Sequence, residues 1–185
     1  RLGHHLHHAA QRVVARELGD FDVQRGVLIN RAGKHLIAGV FLDGHALAGD
    51  GRLIDRARAG VKVRLLFGDP DSEAVRLRGN EEGIGDLLAA RCRLTWNYCR
   101  PLLDEPGIDG RKHGSTLYTS IFRFDERALA NTHLLGAPAS QSPVLHIHHL
   151  SGGRVFRHYM DAFELVWTFG RNITHGPEQR PTVAN

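Results

Sequence analysis

The chain has 185 residues, of which 42% are hydrophobic, and a formal net charge of +4. This length allows one substantial core, and nothing in the composition suggests a second one. No apolar run approaches the roughly 18 residues that a bilayer-spanning helix needs, and the N-terminus lacks the pattern of a secretion signal. The sequence therefore argues against a membrane protein and predicts a single-domain, cytoplasmic one.

The basic residues are nearly all arginine, since lysine occurs only at Lys34, Lys62 and Lys112. Such a bias reflects GC-rich coding better than a dedicated nucleic-acid surface. The charge therefore does not by itself predict DNA binding.

The N-terminal stretch, residues 1–34, is polar and opens with the histidines His4, His5, His7 and His8. Histidines three or four residues apart can chelate a metal on a helix, but no Cys or carboxylate neighbour completes a site. We therefore predict no metal. Because the chain starts without Met, we interpret residues 1–34 as a linker remnant of a longer protein.

A strand, a helix and a second strand follow, at residues 36–42, 53–59 and 61–67. This order predicts a parallel βαβ unit with a right-handed crossover. Ligands bind such sheets beyond the carboxyl ends of the strands, which places Asp43, Asp69 and Asp71 at the candidate mouth. Asp71 or Ser72 is expected to cap the next helix, so the two aspartates are turn and cap residues that can also point into the site.

Helical periodicity then predicts one long helix over residues 81–103, ended or kinked by Pro101. Cys92 and Cys99 lie seven residues apart on it, about two turns, which is too far for a disulfide. We expect both thiols to be reduced.

A third strand is predicted at residues 109–113, followed by a hairpin with arms at 115–124 and 128–135 and a turn at 125–127. Pairing of the arms would bring Leu117–Thr119 opposite Thr132–Leu134. His113 would then lie beside or just beyond His133 at the far end of the same ladder. Both imidazoles would face one pocket.

Two histidines at one mouth have several possible roles, because the pKa of histidine lies near physiological pH. They can act as nucleophile and general acid in phosphoryl or acyl chemistry, bind an anion, or satisfy each other. Arg123 is the nearest candidate for neutralising an anionic ligand, with Lys112 as the alternative.

The remaining elements are a strand at residues 144–150, an amphipathic helix and a tail. Alternation in the strand places Leu145 and Ile147 on one side and Val144, His146 and His148 on the other. The helix has a continuous apolar stripe that we assign to the core, made of Val155, Phe156, Tyr159, Met160, Phe163, Val166 and Trp167. Residues 172–185 are predicted to be disordered.

Common motifs for dinucleotide-binding proteins, P-loop NTPases, zinc proteases and serine hydrolases are missing from the sequence. The segments GVKVRLLFGDPDS, EEGIGDLLAARCRLTW, HGSTLYTSIFRFDE, ANTHLLGAPASQSPVLHIHHL and FRHYMDAFELVW together resemble a phospholipase D-like domain that lies C-terminal to helix-turn-helix regions in bacterial transcription regulators. The resemblance covers residues 36–171. It implies an α/β fold, half of a phospholipase D-like sandwich with a mixed sheet flanked by helices, over residues 35–171.

The family signature is His-x-Lys, four residues and then Asp, followed by a Gly-Ser segment. His113 matches the nucleophile position, whereas Ser115 replaces the Lys that holds phosphate. Ser120 replaces the Asp, with Asp125 as a possible displaced equivalent. Asn131, Thr132 and His133 occupy the place of the Gly-Ser segment. Loss of the Lys removes a positive charge that stabilises the transition state, normally a contribution of several kcal/mol.

The resemblance implies a ligand-sensing, catalytically degenerate domain that binds a phosphate-bearing small molecule or nucleotide and needs no cofactor. The expected catalytic residues are His113 and His133, and the expected ligand-binding residues are Lys112, Ser115, Arg123, Asn131, Asp69 and Asp71. Because such sites use two motifs, the resemblance also implies a homodimer in which two His113 residues meet. DNA would be bound only through an upstream region.

Two further hypotheses stay open. One is a metal-independent phosphodiesterase or nuclease with His113 as nucleophile. The other is a dimerisation module in which the histidines are structural.

Overall fold

The computed structural model describes residues 33–39, 51–135 and 142–173. Its elements are β1 (His35–Gly39), α1 (Arg52–Arg58), β2 (Lys62–Gly68), α2 (Glu73–Glu81), α3 (Leu87–Cys99), a 3-10 helix (Arg100–Asp104), β3 (Ile108–His113), β4 (Thr119–Phe124), β5 (Arg127–Thr132), β6 (Val144–His148), α4 (Val155–Phe169) and β7 (Arg171–Asn172). The predicted histidine cluster at 4–8, the loop with Asp43 and the tail from residue 174 lie outside the described residues. Within those residues, no helix is both long and apolar enough to cross a bilayer.

Seven described strands form one mixed sheet in the order β6-β5-β4-β1-β2-β3-β7. β1, β2 and β3 are parallel neighbours, while β4 pairs antiparallel with β1 and the chain then continues as an antiparallel meander. Helix α1 lies between the parallel strands β1 and β2 in sequence, which confirms the predicted βαβ unit. The α/β class is confirmed as well.

The two faces of the sheet pack against different helices, because successive side chains of a strand point to opposite sides. Val63, Leu65 and Phe67 of β2 join a core with α1, the end of α3 and the 3-10 helix. Leu66, between Leu65 and Phe67 in sequence, points to the other side of the sheet. There it belongs to a second core, which packs against α4. We call these the α3 face and the α4 face.

The single helix predicted over residues 81–103 is wrong, because the chain turns between α2 and α3. Gly83 and Gly85 have φ values of +70° and +52°, a conformation that favours glycine. At Gly79 a Cβ would lie 2.2 Å from the carbonyl oxygen of Gly85, so the turn packs directly on α2. α3 ends at Cys99, just before Pro101, as predicted. Both cysteines are free and buried.

The predicted hairpin is present, with Thr119 opposite Thr132 and a turn at residues 125–126. Its first strand starts at Thr119 and not at Ser115, since residues 114–118 lead from β3 to β4 past the ends of β2 and β1. We call residues 114–118 the crossing segment.

The C-terminal elements largely follow the predictions. Ile147 is buried and the neighbouring His146 and His148 are exposed. Phe156, Met160, Phe163 and Val166 form the buried stripe of α4, although Val155 is 59% exposed at its first turn. Asn172 is not part of a disordered tail, because it pairs with Arg111 of β3.

Candidate functional site

The carboxyl ends of β2, β3 and β5 lie at one edge of the sheet, because β5 runs in the same direction as β1, β2 and β3. α2 borders the crossing segment at this edge. At the start of α2, a Cβ added at Gly114 would lie 3.3 Å from the Cβ of Ser72. Near its end, the Arg78 guanidinium lies 5.1 Å from the centre of the Tyr118 ring.

His113 is the last residue of β3, and its neighbour in the sheet is Gly68 of β2. The prediction that it belongs to the hairpin ladder is therefore wrong. The side chain is 4% exposed, and the backbone N–H of Ser115 donates to its Nδ1 at 3.3 Å. Burial lowers the pKa of His113 to about 4, although the nearby Asp69 carboxylate opposes this. Its buried Nε2 has no hydrogen-bond partner among the residues that the structure describes.

His133 follows β5 directly and is also 4% exposed. Its Nε2 lies 3.0 Å from Oγ of Ser120, and its backbone N–H donates to the carbonyl oxygen of Tyr118 at 2.7 Å. Burial, together with the positive charge of Arg78, lowers the pKa of His133 to about 4. Both histidines are therefore neutral near pH 7.

The two histidines lie on different sides of the sheet. Strand alternation places His113 on the same side as Arg111, which packs against Trp167 of α4. Ser120, the partner of His133, shares the α3 face with Phe122. Three strands lie between β3 and β5 in the sheet. The two strands are therefore separated by four interstrand steps of about 4.8 Å, which amount to roughly 19 Å. His113 and His133 therefore do not share a pocket. The catalytic roles predicted for the pair stay a prediction.

The acidic turn after β2 is anchored by two arginines. Asp69 lies 3.4 Å from Arg171, and Asp71 lies 2.7 Å from Arg93. Ser72, one of the two predicted caps, is the N-cap of α2, and its Oγ accepts a hydrogen bond from the N–H of Val75. The aspartates are thus turn residues with cationic partners, and Asp69 also lies near His113.

The other predicted ligand residues are dispersed. Lys112 lies over the Trp96 ring at 4.5 Å, on the α3 face. Arg123 is near the opposite edge of the sheet, where it packs on Phe156 and donates to the carbonyl oxygen of Asp125. The expectation that Arg123 joins His113 at one mouth is wrong, because four of the six residues of β4 lie before it and carry it away from that edge.

Asp125 is not a displaced catalytic carboxylate, since it also lies at the far edge. Its oxygens accept the backbone N–H groups of Gly33, Lys34 and His35 at 2.5, 2.9 and 2.9 Å. Asn131 is buried, and its Nδ2 donates to the carbonyl oxygen of Ser142 at 3.2 Å. Asn131 therefore anchors the chain that returns to β6.

Arg78 is a prominent residue that the sequence analysis missed. It is 1% exposed, its Nε lies 2.9 Å from Glu82 and its Nη1 lies 3.4 Å from Glu81. Tyr118 donates to Glu81 at 3.0 Å and so joins this cluster to the crossing segment. The spacing of Arg78 to Glu81 and Glu82, three and four residues along a helix, was the available indication.

No group of three or more His, Cys, Asp or Glu side chains suited to holding a metal ion occurs in the described part of the chain.

Comparison with known proteins gives a likeness in fold alone. No protein-family model matches the chain. No curated protein matches it either. Among solved structures, the chain is similar to TrmBL2, described as an archaeal chromatin protein with a novel mode of DNA binding, at 13% identity and a TM-score of 0.53. The match covers 84% of this chain and 51% of that one, so the chain spans about half the length of TrmBL2. This α/β domain is therefore similar in fold to part of a DNA-binding protein.

Proposed function

We propose that this chain is the ligand-sensing domain of a bacterial transcription regulator and that His113 binds a phosphate-bearing ligand. Two separate lines of support lead to this proposal. The fold is similar to about half of a DNA-binding chromatin protein, which suits a regulatory domain. The environment of His113 favours binding over catalysis.

The observation that carries the proposal is the hydrogen bond to His113. A backbone N–H always donates, so Nδ1 of His113 must accept from Ser115 and is not protonated. In the neutral imidazole the proton is then on Nε2. This buried N–H has no acceptor among the described residues, which is costly unless another molecule supplies one. A phosphate oxygen is a suitable acceptor.

The same tautomer disfavours the phosphodiesterase alternative. A histidine nucleophile attacks through an unprotonated ring nitrogen, but Nδ1 of His113 is occupied by Ser115 and Nε2 holds the proton. His133 is a poor general acid, because its pKa of about 4 leaves it deprotonated at neutral pH. Ser115, at the position of the family Lys, supplies no positive charge. We therefore favour a non-catalytic domain.

Arg123 and Asp125 are left out of this proposed site, because they lie near the other edge of the sheet. A homodimer in which two His113 residues meet is left out as well, since the hydrogen bond that carries the proposal lies within one chain. DNA binding is assigned to another part of the regulator and not to this chain. A fluorescence anisotropy titration of duplex DNA with this chain should show no specific binding, and tight, sequence-dependent binding would contradict that assignment.

Two variants of His113 test the ligand proposal. An Asn amide can replace Nδ1, and a Gln amide can place a donor near Nε2. In calorimetric titrations with inorganic phosphate and a nucleoside monophosphate, we expect saturable binding by the parent chain, at least tenfold weaker binding by His113→Asn, and partial recovery by His113→Gln. Equal binding by the parent and His113→Asn, or no binding by the parent, would overturn the proposal.

Hydrolysis of bis-para-nitrophenyl phosphate by the same proteins separates the alternatives. We expect no turnover by the parent chain. Turnover that disappears in His113→Asn, with an unchanged circular dichroism spectrum, would establish the phosphodiesterase instead. If the variants lose only stability and no ligand binds, the structural hypothesis for the histidines is favoured.

A further inference from the structure

A cavity of about 180 Å³ lies on the α4 face, between the crossing segment and α4. Leu66 of β2 and Ile121 of β4 contribute to it from the sheet, and Thr116 and Leu117 contribute from the crossing segment. Helix α4 contributes Tyr159, Ala162, Phe163 and Val166. Three separate parts of the fold therefore line one pocket, which is open to solvent on the side where Ala162 and Tyr118 are exposed.

The chemistry of the cavity wall is uniform. Its described lining contains no Asp, Glu, Lys, Arg or His side chain. Its polar side chains are those of Thr116, Thr119, Tyr159 and Tyr118, and the hydroxyl of Tyr118 already donates to Glu81. A charged ligand would lose its hydration there without an opposite charge to replace it. A neutral molecule with one or two hydrogen-bonding groups would suffer no such penalty.

The volume limits the size of the occupant. Drug-sized ligands occupy pockets of roughly 300–1,000 Å³, whereas an apolar cavity of about 150 Å³ is sufficient for benzene. A cavity of about 180 Å³ thus suits a single six-membered ring with one small substituent. The rings of Tyr118, Tyr159 and Phe163 at the wall favour an aromatic occupant, since aromatic pairs gain energy beyond the area they bury.

We propose that this cavity is a binding site for a neutral, single-ring aromatic compound that has a hydroxyl group, of which phenol is the simplest example. The ring lies against α4 and the crossing segment, and the ligand hydroxyl pairs with the hydroxyl of Thr116, Thr119 or Tyr159. This site is separate from the proposed phosphate site at His113. A phosphate group would not enter it, because its described lining has no cation.

The two sites share one stretch of backbone. Ser115, which donates to His113, directly precedes Thr116, and Thr116–Thr119 line the cavity.

Titration calorimetry with phenol tests the site, with Ala162→Phe as the variant that fills the cavity from α4. Ala90→Phe is the matched control, because Ala90 is exposed on α3 and does not line the cavity. Thermal melting first confirms that both variants are folded. We expect phenol to bind the parent and Ala90→Phe equally with one-to-one stoichiometry, and to bind Ala162→Phe at least tenfold more weakly.

Benzoate tests the charge argument, since it keeps the ring and adds a negative charge. We expect it to bind at least tenfold more weakly than phenol. Absence of saturable phenol binding to the parent, equal binding to Ala162→Phe, or benzoate binding as tight as that of phenol would each overturn the inference. The phosphate titrations of His113→Asn remain an independent test, because that variant should still bind phenol.

Discussion

The N–H of Ser115 and Nδ1 of His113 lie 3.3 Å apart at the end of β3, where burial lowers the pKa of the imidazole and keeps it neutral. Only one residue separates the two in sequence, so the bond forms within a tight bend of the chain. The buried Nε2 is then the ring nitrogen that carries the proton and can donate.

Burial of His113 makes stability depend on pH. Its pKa falls from 6.5 to about 4 in the folded chain, so below pH 6.5 the unfolded chain takes up a proton that the folded chain does not accept. Stability should therefore be lost as the pH falls from 6.5 to 4, by about 3 kcal/mol from this residue at 1.36 kcal/mol per pKa unit.

Urea unfolding at pH 7.5, 6, 5 and 4 measures this loss. His113→Asn should show a shallower dependence on pH, while the exposed His158→Asn should match the parent. A dependence on pH that is the same in His113→Asn as in the parent would show that His113 is not the source.

Arg78 should be one of the most sensitive positions in the chain. Its removal in Arg78→Ala leaves Glu82 buried without its cation, and breaking such a pair typically costs about 3–5 kcal/mol. The matched control on the same helix is Arg76→Ala, which removes an exposed ion pair with Glu73 and should cost less than about 1 kcal/mol. Chemical denaturation compares the two variants, and similar losses in both would contradict the buried role of Arg78.

Gly79 allows the close packing of α2 on the turn that follows. A methyl group there would lie 2.2 Å from the carbonyl oxygen of Gly85, a backbone atom that cannot rotate away. We expect Gly79→Ala to reduce the free energy of unfolding by about 2–3 kcal/mol, despite the better helix propensity of alanine. The exposed neighbour Asn80→Ala is the control and should be neutral or slightly stabilising, as measured by urea unfolding.

Asp125 joins the hairpin turn to the start of β1. Burial opposes its ionisation, but hydrogen bonds from Gly33, His35 and Lys34 outweigh this effect and hold the pKa of Asp125 below its usual range. Asp125→Asn keeps a residue that tolerates the φ of +52° yet removes the charge, and should cost about 1–2 kcal/mol. Asp104→Asn, at an exposed position, should change the midpoint of unfolding very little.

Local patterns in the sequence were sufficient to predict most helices and strands, but not which strands pair in the sheet. The run Val61–Phe67 and the residues around Asp125 predicted a strand and a turn that the structure confirms. The position of His113 was missed because β3 pairs with β2, whereas the hairpin that follows returns to β1. β3 and β4 follow each other in sequence, which suggested that they are neighbours in the sheet. The hydrophobic periodicity of the sequence does not show that residues 114–118 pass β2 and β1 before β4 begins.

The boundary between α2 and α3 was missed for a different reason. Apolar residues continue at helical spacing through the turn, since Ile84 packs on Val75 and Leu88 as a helical residue would. Gly83 and Gly85 were the opposing evidence, and their positive φ values show how the chain reverses there. The buried Arg78 could be inferred only by treating its two glutamates as partners within a helix.

The central position of β1 affects how the chain can fold. Its neighbours are β2, about 27 residues further along the chain, and β4, whose Phe124 pairs with Leu36 across 88 residues. The meander from β4 to β6 can form from nearby residues, as can β2 with β3, but the sheet is completed only when β1 joins both groups. Contacts so distant in sequence slow folding because a long loop must close first. We therefore expect joining of the two groups through β1 to be the rate-limiting step in refolding.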